Sequence, residues 1–291
     1  MYSKLIKKLF YSLVGLPYPL VYKAMYKPSS MEEHSKSTFL LSFDIDYPED
    51  VESLTRVLSS LDFLDIKASF AGVGAWIEKF PKEHNSIIER GHELFNHTYT
   101  HPSNKVLSPT TEYWQLSEEE KTDEIIRCDR ISTDLFGYKM KGFRLPHFGN
   151  VQTVDFHWLS RLLVDLGYDY DSSVLFFNYK KTMKLFQNSS LHEIPVTTCY
   201  KHPFTALDSY HTVRSNRTIY RLLHSKWDWD LLLSKALYYS RLAKVPVNIY
   251  LDPFDYAKHI ESFEKTFINL MKDNDLIFQT YGDYTHRIGG L

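Results

Sequence analysis

From residue 38 to residue 280, short apolar runs alternate with amphipathic stretches, without an obvious linker between them. The first run, at 37–43, is nearly continuous in Phe, Leu and Ser, as expected of a strand covered on both faces of a parallel sheet. Further strands are predicted at 67–73, 92–96, 141–144, 167–171, 246–251 and 276–279. Helices are predicted over 48–61, 75–90, 117–136, 154–166 and 259–272. Val51, Leu54, Val57 and Leu58 give the first helix its apolar face. Ser117 with Glu120 forms a capping box at the start of the third, and Gly137 stops it. Strands and helices in strict alternation specify an α/β fold in a single domain. The stretch 175–235 is the least regular and reads as an insertion.

The ends of the strands carry the chemistry. Asp44 and Asp46 follow the first strand, His97 and His101 the third, Arg144 and Pro146 the next, and Asp171 and Asp252 two later ones. In α/β sheets and barrels, ligands gather at the carboxyl ends of the strands, so these residues are predicted to share one rim. Asp44-x-Asp46 alone also suits the cap of the following helix, and two histidines four residues apart can arise by chance. Together, a carboxylate and two imidazoles offer the ligand set of a borderline divalent ion with positions open to water. Zinc fits best, and iron, cobalt or nickel are alternatives.

With these residues in view, the chain resembles the polysaccharide deacetylases, which share the NodB homology domain, over residues 39–278. The resemblance rests on Ser42-Phe-Asp-Ile-Asp46, on Gly91-His92-Glu93, on His97-Thr-Tyr-Thr-His101 and on Gly142-Phe-Arg144-Leu-Pro146. Two later stretches, Gly167 to Ser173 and Glu193 to Thr198, are similar to stretches of the exopolysaccharide-type members. The resemblance implies a distorted (β/α) barrel of fewer than eight repeats, formed by residues 38–291, with 1–37 as a separate N-terminal segment and linker. It also implies removal of an N-acetyl group from an amino sugar, with Asp46, His97 and His101 holding the metal and Asp44 acting as base. Arg144 would hold Asp44, the backbone N–H of His147 would face the developing oxyanion, and Pro146, Phe148 and Asp171 would line the substrate site.

The match breaks at one position. The family's last motif places a histidine after an apolar strand to protonate the departing amine, and here Asp252 stands in that place. Asp252 itself, Asp44 or His147 could deliver the proton, since amide cleavage needs nitrogen protonated before it leaves. Two other activities stay open: hydrolysis of a different amide, such as a formamide or cyclic ureide, and metal-retaining carbohydrate binding without turnover.

Composition narrows the partners. The 34 Lys and Arg balance 36 Asp and Glu with no basic block, which excludes a nucleic-acid footprint. Two cysteines, Cys128 and Cys199, make no disulfide framework and fit a reducing compartment. No apolar run reaches the roughly 18 residues of a membrane span. In 4–14, Leu5, Ile6, Leu9, Phe10, Leu13 and Val14 share one helical face opposite Lys4, Lys7 and Lys8, until Gly15, Pro17 and Pro19 end the pattern. Residues 1–28 are expected to lie on a membrane surface, to fold back on the domain, or to pack on a second subunit. With no cleavage site after this segment, the expected location is cytoplasmic, at the inner face of the membrane, and the expected substrate a glycan or a lipid-linked amino sugar.

Overall fold

β1 (Ser37–Ile45) is buried along its length apart from its first residue, and its two faces have different surroundings. Phe39, Leu41, Phe43 and Ile45 pack into the large core beneath the helices, whereas Leu40 belongs to a second, inner cluster with Ala71, Phe95, Tyr170, Ile194 and Tyr281. Because successive strand side chains point to opposite faces, Ser42 and Asp44 follow Leu40 inward. The same alternation on β9 (Val247–Leu251) sends Val247, Ile249 and Leu251 outward and Asn248 and Tyr250 inward, with Asp252 next in line. These relations come from a computed structural model that describes residues 36–148, 155–177, 190–214 and 229–289, together with 22, 24 and 25.

The strands form a parallel sheet centred on β1. One edge of β1 carries β9; the other is shared by β10 (Leu276–Gln279), along 37–40, and β2 (Ser69–Gly72), along 42–45. The sheet continues through β3 (Glu93–Asn96), β4 (Gly142–Phe143), β5 (Tyr170–Asp171) and β6 (His192–Glu193). It then curls back: Thr197 N–H donates to the Asn248 carbonyl of β9 at 2.7 Å, so the segment after β6 closes the ring without a full strand. The result is the expected distorted barrel of fewer than eight repeats. A short antiparallel pair, β7 (Thr198–Cys199) and β8 (His202–Ala206), follows the closure.

The helices match the periodicity with four differences. α1 (Pro48–Phe63) follows β1, but the single helix expected over 75–90 is two, α2 (Gly74–Lys79) and α3 (Pro81–Glu89). Pro81 has no N–H to continue α2 and is well placed to start a new helix. α4 (Glu118–Phe136) has the expected reciprocal Ser117–Glu120 capping box and ends on Gly137 at φ 62°. α5 (Phe156–Asp165) lies where expected, whereas α6 (Trp229–Ala243), which leads to β9, was not anticipated and begins inside the stretch read as irregular. Then Pro253 opens α7 (Pro253–Lys258), which precedes α8 (Ile260–Met271) and was not anticipated. Nor was α9 (Tyr281–Gly289), which follows the last strand.

Cys128 and Cys199 are buried free thiols. Among the described residues no helix is long and apolar enough to cross a membrane. The helix expected over 4–14 lies outside the described residues. Tyr22, just beyond it, is fully buried edge-on against Tyr200 and Tyr239.

Candidate active site

Three loops at the carboxyl ends of β1, β3 and β4 build one wall of the site. Asp46 leaves β1 with its backbone carbonyl fixed by Trp76 Nε1 at 2.8 Å and Asn104 Nδ2 at 2.6 Å. The loop after β3 is bonded internally: Asn96 Oδ1 accepts from Thr98 N–H, and Thr98 Oγ1 accepts from His101 N–H. Glu124 of α4 accepts from both the N–H and the hydroxyl of Thr100. Seven non-glycine residues in the described chain have positive φ, and five of them lie in these loops: Thr98, His101, Ser103, His147 and Phe148. Each left-handed residue costs about 1 kcal/mol or more, so the loops are held by their bonding against intrinsic preference.

The outcome is a compact donor set. Asp46 Oδ1 lies 3.4 Å from His97 Nε2 and 3.4 Å from His101 Nε2, and the three donor atoms fall within 4.8 Å of one another. His97 Nδ1 is 2.8 Å from the Arg144 carbonyl, which can only accept; Nδ1 therefore carries the proton and Nε2 presents a lone pair. Asp46 Oδ1 is buried without a hydrogen-bond donor among the described residues. A carboxylate oxygen and a ring lone pair facing one point are unfavourable unless a cation sits between them. Tetrahedral zinc with bonds near 2.0–2.1 Å requires ligand–ligand edges of about 3.4 Å, which both Asp46–His edges match, so the chemistry and spacing of Asp46 with either histidine fit such an ion. Burial raises the Asp46 carboxyl, but the two imidazoles outweigh it and hold it below the usual carboxylate range. Burial lowers His101 to about 3 despite Asp46, which leaves that ring neutral, whereas Asp46 and Asp44 hold His97 up against burial.

Asp44 stands beside this set on the inner face of β1. It is buried and takes a short hydrogen bond from Arg144 Nη1; burial pushes its carboxyl up, and Arg144 opposes the push. Arg144 is fully buried, and its five N–H groups all have acceptors: Asp44, Ser42 Oγ, the Ser172 carbonyl, Ser172 Oγ and Tyr281 Oη. A buried guanidinium requires that degree of satisfaction. Past it, Pro146 is buried, His147 is exposed with its ring 5.0 Å from that of His101, and Phe148 is half-buried 4.9 Å from Tyr250. The His147 N–H has no acceptor among the described residues.

The facing wall differs from expectation in detail. Asp252 is buried at the end of β9, with its N–H bonded to Ser209 Oγ at 2.9 Å. Arg214, from a π-helical turn at Tyr210–Arg214, lies 3.2 Å from the Asp252 carboxylate and 3.1 Å from that of Asp255. Asp50, in the first turn of α1, accepts N–H bonds from Tyr47 and from Phe254 of α7. Burial, then the Asp50 charge, push the Asp252 carboxyl well above its ordinary range, against the pull of Arg214. Sequence reasoning missed both Arg214 and Tyr281. Arg214 lay in the stretch read as irregular, and Tyr281 lay beyond the last predicted strand.

Asp171 takes a different place from the other predicted site residues. It leaves β5 on the face opposite Tyr170, is fully buried, and pairs in register with Glu193 of β6. Asp171 Oδ2 and Glu193 Oε2 both lack a donor, as two carboxyls sharing a proton would. Burial pushes Asp171 up to about 7 and Glu193 well above its usual range. The structure thus places Asp171 in an internal carboxyl pair and leaves it no surface for the substrate contact expected of it.

Comparison with known proteins gives a consistent picture. A family model described as polysaccharide deacetylase matches residues 31–168. A peptidoglycan-N-acetylglucosamine deacetylase of Bacillus cereus is 32% identical over 142 residues, 49% of this chain and 46% of its own length. The alignment thus spans about half the length of that curated relative. Among solved structures, one from Mycobacterium smegmatis described as a polysaccharide deacetylase superposes with a TM-score of 0.70 at 16% identity, covering 91% of this chain and 94% of its own. An allantoinase superposes with a TM-score of 0.63 at 14% identity, covering 88% and 93%. At such identities these two structures establish the fold alone. The matched segment contains Asp44, Asp46, His97, His101 and Arg144, and over residues 31–168 this chain is similar to the polysaccharide deacetylases.

Proposed function

We propose that this chain is a metal-dependent hydrolase that removes the N-acetyl group of an amino sugar. The observation that carries the reading is the Asp46, His97, His101 donor set beside an Arg144-held Asp44. Asp46, His97 and His101 would hold a divalent ion, with zinc favoured and iron, cobalt or nickel able to replace it. Such an ion supplies Lewis acidity toward the amide carbonyl and makes a water acidic enough to attack at neutral pH.

The chain's own residues perform the rest. Asp44 accepts the proton of the attacking water, and its hold on Arg144 keeps the receiving oxygen oriented. The His147 N–H donates to the carbonyl oxygen as it gains charge, a contribution of roughly 3–4 kcal/mol in comparable sites. Asp252, kept protonated by burial and by Asp50, gives its proton to the amide nitrogen as the C–N bond breaks. Phe148 and Tyr250 offer an aromatic floor against which a sugar ring can stack.

A second reading, carbohydrate binding with impaired turnover, is favoured by the ion pair between Arg214 and Asp252, which competes with protonation of the acid. Acetate and free-amine release from a panel of N-acetylhexosamine glycans separates the two; binding without acetate from any of them would select the binder. A formamide or ureide panel run alongside tests the other amide activities.

We further place the substrate on a glycan or on a membrane lipid at the cytoplasmic face, on the strength of the basic amphipathic pattern in 1–28. Deleting those residues should release the protein from membranes, and unchanged partition would refute that location.

A further inference from the structure

Tyr281 opens α9, the helix after the last strand, and its ring fills the inner end of the barrel 5.4 Å from Phe95 and 5.3 Å from Tyr170. Its hydroxyl is 2.6 Å from Arg144 Nη2 and 2.6 Å from Asn248 Oδ1. The direction of these bonds follows from what each partner can do. Asn248 Nδ2 faces the Ile194 and Pro195 carbonyls, both at 3.2 Å, and a carbonyl only accepts; the amide oxygen is therefore the atom turned to Tyr281. The phenol proton has two acceptors in reach, Asn248 Oδ1 at 2.6 Å and Ser42 Oγ at 2.9 Å; the shorter bond, to an amide oxygen that can only accept, takes it, and a phenol lone pair receives the Arg144 N–H. Burial pushes the Tyr281 hydroxyl above its ordinary pKa, which keeps that proton in place.

The helix bearing Tyr281 has a built seat. Tyr281 N–H donates to Ser69 Oγ at 2.9 Å, Ser69 Oγ donates to Glu93 Oε2 at 2.7 Å, and Gly282 N–H donates to the same carboxylate oxygen at 3.1 Å. A carboxylate at a helix N-terminus is favoured by the helix dipole. At Gly282 a Cβ would stand 2.9 Å from Glu93 Oε1, so a larger residue would require the carboxylate to shift from its seat. Glu93 comes from the Gly91-His92-Glu93 motif, which the metal site leaves without a role.

We propose that Tyr281 is a positioning residue for the reaction: seated by Glu93 and polarised by Asn248, it sets the guanidinium plane of Arg144 and thereby the orientation of Asp44. This rests on the deacetylase reading for its catalytic consequence. It does not need that reading for its structural one. Among the described residues Arg144 donates only to Ser42, Ser172 and Tyr281 besides Asp44, and Tyr281 is the one acceptor delivered from the far end of the chain.

The test is Tyr281→Phe, which keeps the ring contacts and removes the hydroxyl. A displaced catalytic group of this kind should lower kcat for acetate release roughly 10- to 100-fold. KM and bound metal per chain should stay within about twofold, because neither substrate nor metal ligands are touched. In an Arg144→Lys background the same change should cost less than about twofold, since two residues acting through one path are not additive. Nitrogen-resolved NMR supplies a readout independent of turnover. The Arg144 guanidinium N–H signals, slowly exchanging in the parent, should broaden or vanish in Tyr281→Phe. Unchanged signals, a loss carried by KM, or a full multiplicative loss in the Arg144→Lys background would each overturn the proposal. If the parent releases no acetate while the guanidinium signals respond, the deacetylase reading fails and the positioning of Arg144 stands.

Discussion

The two walls of the cleft are built on opposite plans. On the wall made by the ends of β1, β3 and β4, the supporting groups are paired: Arg144 uses all five donors, Thr100 is held twice by Glu124, and His97 is oriented by a backbone carbonyl, while Asp46 Oδ1 and His101 Nδ1 are left without a hydrogen-bond partner among the described residues. On the wall at the end of β9, Asp252 and Asp255 share one guanidinium from an irregular turn, with the Asp50 carboxyl close enough to raise the Asp252 pKa. The first wall is preorganised and matches the family's motifs residue by residue. The second departs from them at Asp252 and relies on charge crowding to keep a proton. On the proposed function, the first wall would supply the electrophilic half of the reaction and the second its proton delivery, and the two depend on different strands.

That contrast can be broken at several points. Losing a ligand should have the largest effect: His97→Ala or Asp46→Ala should abolish metal binding and cut turnover on the order of 10³-fold or more, measured by metal content and acetate release. Asp44→Asn should cost on the order of 10³-fold while the metal stays bound, and retained turnover would remove Asp44 as the base.

On the facing wall, Asp252→Asn should cost about 100-fold. The pH dependence has a definite sign. An acid must be protonated, so kcat should fall as pH rises through the raised Asp252 pKa, and that fall should be absent in Asp252→Asn. Unchanged rates would rule it out. Arg214→Gln should act in the reverse sense by removing the charge that lowers the Asp252 pKa. The alkaline fall should move to higher pH, with only a few-fold change in kcat at neutrality.

The smallest effect lies away from both walls, in the Asp171–Glu193 pair. An acid whose pKa is raised on folding contributes stability in full below its unfolded pKa, near ~3.9, and loses it as pH rises through the folded value. For Asp171 that value is about 7. Thermal stability should therefore decline between acidic and neutral pH, and Asp171→Asn should flatten the decline, raising Tm at neutral pH by about 2–4 °C. An unaltered pH profile would show that the pair does not share a proton.

The first wall was legible in the sequence because each of its residues sits within a few positions of a strand end, where alternation and short spacing reveal it. Asp44, Asp46, His97, His101 and Arg144 all lie where the pattern places them. The second wall and the barrel's inner end were not legible. Arg214 approaches Asp252 from 38 positions away, through a π-helical turn with no periodic signature. Tyr281 reaches Arg144 across 137 positions, from a helix after the last strand. Long-range contacts of this kind leave no local trace. The outward turn of Asp171 escaped for a smaller reason: a strand of two residues gives too little alternation to tell inside from outside.

The most direct test of the central claim is a zinc titration of chelator-stripped protein, with acetate release from N-acetylglucosamine oligomers as the signal. The Asp46, His97, His101 site predicts that release rises with added zinc, breaks at about one equivalent per chain, and is absent throughout in His97→Ala. Acetate release that is independent of zinc, or one equivalent bound tightly with no acetate released, would contradict it.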